Sequence, residues 1–452
     1  MRIDKVNSSP QLKWMLFNSI SYTLVVVKMK KSGFFEAKTR LIASILFSVA
    51  FAARARLSPN KFTRDRSLPL PRITIIILRG IKQALQLEID EYFKKTLDGC
   101  EEPVSKQAFS QSRTDLNPDA IKYLYSDVTK DMCKVKDLEY YNNRYRLCAF
   151  DGSDVALYSS DELRDEYGYA GGSPKAVSAM ASLAYDPLNN IVLDGSLNHI
   201  DTDERVCAKQ HIENVSKLPL KWRMKNLFIM DRGYPSRDYL AWLLDGKHKF
   251  IMRVRRKFNL DFDRVSRDEN VSFVWNNKTY RVRIIKVTLD TGEIETLITN
   301  LDEQDLPYDK AADLYFKRWG IETKFNSLKN KLELENMSGR RVVTVLQDFW
   351  ASLFMANILA SLEWKTNAII KERTADSDNK YEQTTNENRL ISKARDSFVK
   401  CLLETSPHKR KLLFYSLFED IARRPVEVKP DRSSPRSTPR NAKFHDTYKS
   451  VT

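Results

Sequence analysis

The sequence predicts an α/β protein: a mixed sheet flanked by helices, with a helical amino-terminal region and an inserted antiparallel β subdomain. Three observations carry this. Helical periodicity gives way to alternating periodicity at about Asn143. Two of the strand-like runs that follow end on acidic turns, Asp151-Gly152 and Asp231-Arg232-Gly233. After a further block of strands comes a helix, Leu314–Lys331, that carries polar and charged groups along one flank.

Charge and composition bound the function. The chain has 452 residues, enough for several domains, and 75 Lys+Arg against 59 Asp+Glu, a formal net charge of +16. An anionic partner is expected, with nucleic acid the leading candidate and a merely soluble basic protein the alternative. Cys100, Cys133, Cys148, Cys207 and Cys401 are scattered without a CxxC, so they read as reduced and non-ligating. The five histidines show no HExxH spacing, which argues against zinc. The apolar stretches Trp14–Val27 and Leu41–Ala53 contain Asn, Ser or Tyr and are shorter than about 18 residues, so they read as amphipathic or buried helices. No secretory signal fits. A soluble, cytoplasmic protein with no membrane partner is expected.

In order, residues 1–56 form a leader with a basic run at Lys28, Lys30 and Lys31. Residues 57–138 read as a helical DNA-binding region. Ile73–Leu97 is one apolar-periodic helix; Ser105 caps a short helix bearing Lys106, Gln107, Gln111 and Arg113; Asn117-Pro118 opens another. Two such helices suggest a helix-turn-helix-like DNA contact through Lys106 and Arg113, although ordinary surface helices have the same composition.

Residues 139–246 hold the first part of a catalytic domain. NRYRLCAF (143–150) is a strand that ends at Asp151; 176–185 and 191–199 are two strands joined by the turn DPLNN. A helix from Asp203 to about Ser216 is capped by Thr202 or Asp203, and Asn226–Met230 is a buried strand that delivers Asp231. Three strands, a helix and a fourth strand open a ribonuclease-H-like mixed sheet. Residues 247–303 are the β insert, with turns at Asn276-Asn277 and Asp290–Gly292 and a basic face carrying Arg253 and Arg255. Residues 304–365 complete the catalytic domain with the Leu314 helix and the apolar helix Val342–Trp364, whose Gln347, Asp348 and Asn357 argue against a membrane. Residues 366–428 are helical, and 429–452 are a disordered basic tail.

On the Leu314 helix, Leu314, Ile321, Phe325, Leu328 and Leu332 project into one apolar stripe. Tyr315, Arg318, Glu322 and Lys329 lie beside it, within roughly 60° of one another at about 100° per residue. A solvated face with i,i+4 pairs has the same look. The two aspartates upstream weigh against that reading. Asp151, Asp231 and Glu322 on separate elements are what two divalent ions, about 3.5–4 Å apart, require for phosphoryl transfer. Mg²⁺ (or Mn²⁺) suits such hard oxygen ligands. Asp154 and Asp194 are read as decoys, and Asp186 as a turn residue.

These residues resemble the insertion-sequence transposases of the DDE superfamily, in the group with the Tyr-Arg-Glu-Lys signature. The matching stretches are YRLCAFDGSDVAL (145–157), YDPLNNIVLDGSL (185–197), NLFIMDRGYPS (226–236) and Y-x2-R-x3-E-x6-K at Tyr315, Arg318, Glu322 and Lys329. The resemblance covers roughly Arg56 to Trp364, and residues 1–55 lie outside it. It implies that Asp151, Asp231 and Glu322 are a metal-binding catalytic triad. It also implies that Tyr315, Arg318 and Lys329 contact transposon-end DNA near the scissile phosphate, and that a β-rich insert precedes the third acidic residue. Arg318 suits a fork of phosphate hydrogen bonds and Lys329 a point charge. Trp319, and more weakly Trp275, are candidates for stacking on an unpaired base, with core packing as the alternative. The expected protein is a bacterial, nucleoid-associated transposase that binds terminal inverted repeats, cleaves and joins DNA, and pairs two ends as a homodimer. Two alternatives are an inactive transposase-derived DNA-binding protein and a metal-dependent nuclease without joining activity.

Overall fold

The computed structural model describes residues 33–63, 67–96, 102–171, 176–289 and 292–429. Among these, contacts cluster into two compact units, one over 48–361 and a smaller one that joins the segment up to Phe47 with Leu362 onward.

The larger unit is built on an eight-stranded sheet in the order β3-β2-β1-β4-β5-β8-β7-β6. The strands are β1 Tyr145–Ala156, β2 Ser178–Asp186, β3 Ile191–His199, β4 Lys225–Met230, β5 Lys249–Val254, β6 Asp268–Trp275, β7 Lys278–Thr288 and β8 Ile294–Thr299. β1, β2 and β3 are antiparallel neighbours, whereas β1, β4 and β5 run parallel. This is the ribonuclease-H-like arrangement expected from the sequence. The strands of the 247–303 block are antiparallel to one another, as expected, and they extend the same sheet. Phe250, Ile251 and Met252 are fully buried, as a strand covered on both faces requires. β5 therefore pairs β4 on one side and β8 on the other, and β7 and β6 extend the same sheet.

The core between the sheet and the Leu314 segment gathers Leu147, Leu227, Ile229, Ile251, Ile285, Leu297 and Leu314, all fully buried. Each such side chain contributes roughly 1.5–3 kcal/mol of burial free energy. The 33-residue helix Val342–Thr374 is long and apolar enough to cross a membrane by length and composition. Its Phe349, Leu353, Phe354 and Ile358 are instead buried inside the protein. Its polar residues lock it in place. Asn357 Oδ1 accepts from Val192 N at 2.9 Å, and its Nδ2 donates to Val192 O and Thr129 Oγ1 at 2.9 Å each. A buried amide satisfied on both ends specifies one seating of the helix on edge strand β3.

The amino-terminal helices differ from expectation in one respect. Ile73–Leu97 is two helices, Leu70–Arg79 and Leu85–Thr96, because Gly80 takes φ +83° and ends the first. Arg79 joins them by donating to Glu88 Oε2 at 2.8 Å. Leu41–Ala53 is likewise divided between helices Gly33–Leu46 and Val49–Ala55, with the Ser48 hydroxyl accepting from Phe51 N at 3.0 Å as the second cap.

In the smaller unit, Gly33–Leu46 packs with helices Glu387–Leu403 and Pro407–Ala422, and Ile42, Ala394, Phe398, Phe414 and Ile421 on these helices are buried. Part of the expected leader is thus a structural helix of this unit. Trp14–Val27, the basic run at 28–31 and tail residues 430–452 lie outside the described residues.

Candidate active site

The site follows from strand register. Pairing of β1 with β4 ends at Ala149 opposite Ile229, and β4 pairs β5 with Ile229 opposite Ile251. Asp151, Asp231 and Arg253 each lie two residues beyond those positions, so they stand on one rung at the carboxyl edge of the parallel strands. β1 does not end at Asp151 as expected. It continues to Ala156 because β2 still pairs it, with Asp151 opposite Leu183 and Ala156 opposite Ser178. Asp231 follows directly on β4, and its Oδ1 accepts from Gly233 N at 2.7 Å, a local turn that fixes the carboxylate.

Glu322 comes from helix Trp319–Asn330, which packs against β1. The expected single Leu314 helix is interrupted. Ala311–Phe316 and Trp319–Asn330 are joined by i→i+3 hydrogen bonds, Arg318 N to Tyr315 O and Ile321 N to Arg318 O, both 3.0 Å. Such a tight turn advances about 120° per residue, so Tyr315 leaves the flank that Glu322 and Lys329 share. Tyr315 joins the core, and burial pushes its hydroxyl up to about 12. Its ring centroid remains 5.9 Å from the Arg318 guanidinium. The second helix is seated by the β2–β3 turn. Lys324 Nζ donates to Asn190 Oδ1 at 2.9 Å, and a Cβ on Gly320 would come within 2.9 Å of Pro187 Cβ.

Asp151 and Glu322 line a cleft of about 330 Å³ together with Ser153, Phe325, Asn326 and Lys329. Arg318 Nη2 donates to Glu322 Oε1 at 2.7 Å. Lys329 Nζ donates to Asp154 O and lies 3.5 Å from Glu335. Burial pushes Asp151 up to about 7, reinforced by the carboxylates of Glu204, Asp231 and Glu322 and opposed by Arg318. Among the described residues no three Asp, Glu, His or Cys groups stand at metal-ligand spacing. The donor chemistry nevertheless fits a divalent cation. Asp151, Asp231 and Glu322 offer hard oxygens from three elements, and the charges of Asp231 and Glu322 act on Asp151 as a repulsion that a cation would relieve.

The remaining predicted residues divide. Lys106 is exposed on its short helix and Arg255 just past β5; Trp319 is 41% exposed. Arg253 is clasped by Glu295 at 2.6 Å and Glu293 at 3.2 Å. Trp275 ends β6, the edge strand farthest from β1, at about 5 Å per intervening strand, and is away from the cleft. Arg113 is a correction. It is buried, with Nε donating to Gln347 at 2.7 Å and Nη2 to Asp348 at 2.7 Å and Thr344 O at 3.0 Å. A guanidinium so enclosed holds the fold and is not offered to DNA. The following helix, Pro118–Met132, also spends its apolar face inside, where Tyr125 donates to Val192 O at 2.8 Å. Of the decoys, Asp194 is held by His211 at 2.8 Å and Asn214 at 2.9 Å.

Glu204, which the sequence did not single out, is a further carboxylate whose charge acts on Asp151. It stands directly after Asp203, the N-cap, whose Oδ1 accepts from Arg205 N at 2.9 Å.

With this geometry in hand, the comparisons with known proteins are direct. Residues 142–358 match the family of transposase DDE domains. The matched stretch is just under half of the chain and contains Asp151, Asp231, Glu322, Tyr315, Arg318 and Lys329. No curated protein matches the chain. Among solved structures, it is similar to piggyBac transposase in a synaptic complex with hairpin DNA, determined by electron cryo-microscopy. That likeness covers 85% of each chain at 12% identity, with a TM-score of 0.41. The triad predicted from sequence thus falls wholly within the stretch that matches the transposase DDE domain.

Proposed function

We propose that this protein is a DNA transposase of an insertion sequence, of the Tyr-Arg-Glu-Lys group, that cleaves transposon ends and joins them to target DNA. The observation that carries the reading is the shared rung of Asp151 and Asp231 beneath Glu322, inside the stretch that matches the transposase DDE domain. Asp151, Asp231 and Glu322 would hold two Mg²⁺ or Mn²⁺ ions, which when bound supply Lewis-acid stabilisation of the attacking and leaving oxygens.

The chain's own residues do the rest. Arg318, beside Asp151 and Glu322, presents a planar fork that suits a phosphate at the cleft. Lys329, on the cleft wall, adds a point charge. Tyr315 stays a neutral phenol at physiological pH and can donate but not ionise. Trp319 offers a partly exposed ring for an unpaired base. Lys106 and Arg255 extend the phosphate contacts, in keeping with the +16 net charge. Pairing of two transposon ends calls for a homodimer on DNA, in the nucleoid of a bacterial cell.

The test is Mg²⁺-dependent nicking and strand transfer on a labelled duplex that carries the element's terminal repeat. Nicking plus joining in the wild type, both lost in Glu322→Gln, is the expected result. Binding without cleavage would mean an inactive descendant, and cleavage without joining a nuclease.

A further inference from the structure

Beyond Ala149, β1 no longer pairs β4, while β2 still pairs its other side as far as Ala156. Leu157 N donates to Val177 O on the β2 side, so the backbone groups of Asp154 and Ala156 point the other way, to the edge that β4 has left. Two side chains satisfy that edge. Lys329 Nζ donates to Asp154 O, and Glu335 Oε1 accepts from Ala156 N at 3.3 Å. The same two side chains stand 3.5 Å apart, and both line the cleft with Asp151 and Glu322. Glu335 reaches this place because the chain doubles back after helix Trp319–Asn330. Lys331 N and Leu332 N donate to Ser327 O at 2.9 and 3.0 Å, and Leu334 N to Leu328 O at 2.8 Å. The returning loop is tied to the turn between helices Leu70–Arg79 and Leu85–Thr96. Lys82 Nζ donates to Glu333 O at 2.6 Å, and Asn336 Nδ2 to Lys82 O at 3.0 Å. Glu88 closes that turn, its Oε1 accepting from Lys82 N and Gln83 N at 2.9 Å each. An ion pair whose partners are 22% and 33% exposed adds little stability. Pinned at both ends to one strand, it supplies a direction for the ammonium.

We propose that Glu335 is a positioning residue for strand cleavage: it holds the Lys329 ammonium at the wall of the cleft, and the turn at Lys82 sets the loop that carries it. This rests on the transposase reading, which gives Lys329 a phosphate to meet. A lysine is a point charge on a flexible four-carbon stem, so its aim must come from its neighbours. An ammonium has three donors. Asp154 O and Glu335 engage two of them, and the third is left for a phosphate oxygen.

The experiment measures Mg²⁺-dependent nicking of the terminal-repeat duplex by the full-length protein in excess. Varying the protein concentration separates the saturated rate from the half-saturating concentration. Glu335→Ala should lower the saturated rate about tenfold while the half-saturating concentration rises by no more than about twofold. Glu335→Gln, whose amide oxygen still accepts from Lys329 and Ala156, should recover most of the loss. In the Lys329→Ala background, Glu335→Ala should cost nothing further, because a residue that acts through Lys329 has nothing left to aim. A further tenfold loss there, or a Glu335→Ala that nicks at least as fast as wild type, overturns the inference. A glutamate that only closes the strand edge would lower the unfolding midpoint and slow nicking equally with and without Lys329. Should Glu335→Ala fold poorly, Lys82→Ala frees the same loop from outside the cleft. Its few-fold loss must likewise vanish in the Lys329→Ala background, and a loss that persists there, or none at all, overturns the inference. If nicking is lost in Glu322→Gln but not in Glu335→Ala, this inference falls and the transposase reading stands. If the wild type itself binds the duplex without nicking it, both fall together.

Discussion

Arg318 and Glu322 neutralise each other across one helical turn, 2.7 Å apart, with the guanidinium 12% and the carboxylate 33% exposed. Two of the four signature residues are therefore each other's partners in the free protein. The same guanidinium lies near enough to Asp151 to hold its carboxyl down against three acidic neighbours. Arg318 thus stands as a local cation among acids. It is poised to exchange those partners for a phosphate, because an Arg–carboxylate and an Arg–phosphate fork use the same donors.

From this pair follows a separation of activity from stability. Glu322→Gln removes one carboxylate of the proposed metal site and one charge partner, but the pair is part-exposed and sits on an i,i+4 surface, worth about 0.3–0.5 kcal/mol. Nicking should fall by roughly 10²–10³ while the unfolding free energy shifts by less than about 1 kcal/mol. Parallel gel assays of nicking and urea titrations decide it. Equal losses in both would make Glu322 a structural residue.

Asp151 gives a pH dependence with a definite sign. Its folded pKa is raised from 3.8 to about 7, so the native state holds the proton more tightly than the unfolded chain. Its contribution to stability is present below pH 3.8, declines between there and 7, and is lost above. In EDTA, Asp151→Asn should therefore be more stable than wild type at pH 8, by at most about 4 kcal/mol, and no more stable near pH 4. Thermal melts across that range test it, and a constant difference would refute the shift. Asp186, also raised by burial, to about 6, is common to both proteins and cancels in the comparison.

Much of this site was legible before the fold was known, because Asp151 and Asp231 are marked by local signals. An apolar run that meets an acidic turn is visible in one dimension. The register that aligns them is not, since it depends on which strands pair. β1 continues past Gly152 only because β2 accompanies it, and the β5–β8 block joins the main sheet only because β5 lies beside β4. Arg113 misled in the opposite direction. A guanidinium on a short polar helix looks solvent-facing until Gln347 and Asp348, more than 230 residues on, enclose it.

That enclosure distinguishes Arg113 from Lys106 experimentally. Arg113→Met leaves Asp348 buried without its cation and Gln347 without a donor, at a cost of about 3–5 kcal/mol. Lys106→Ala, on the same helix but exposed, should leave stability within about 0.5 kcal/mol. If Lys106 meets phosphate, its loss lowers the salt slope of DNA binding by about one. Urea unfolding and salt-dependent fluorescence anisotropy together tell the roles apart. A stable Arg113→Met with weakened DNA binding would restore Arg113 as a contact.

Gly320 offers the most local test of how the signature helix is aimed. An added Cβ would meet Pro187 Cβ at 2.9 Å and the Tyr185 ring at 3.5 Å, so the helix must lift from the β2–β3 turn. Alanine otherwise favours the helix by about 1 kcal/mol, and the clash costs about 1–3 kcal/mol, so the net change in stability is small. Glu322 lies two residues further on, and a displacement of about 1 Å in a reacting group can cost 10²-fold in rate. Gly320→Ala should therefore lose strand cleavage far more than it loses stability, and Pro187→Gly, which removes the opposing Cβ, should restore part of it. If Gly320→Ala cleaves at the wild-type rate, the β2–β3 turn does not set the position of Glu322.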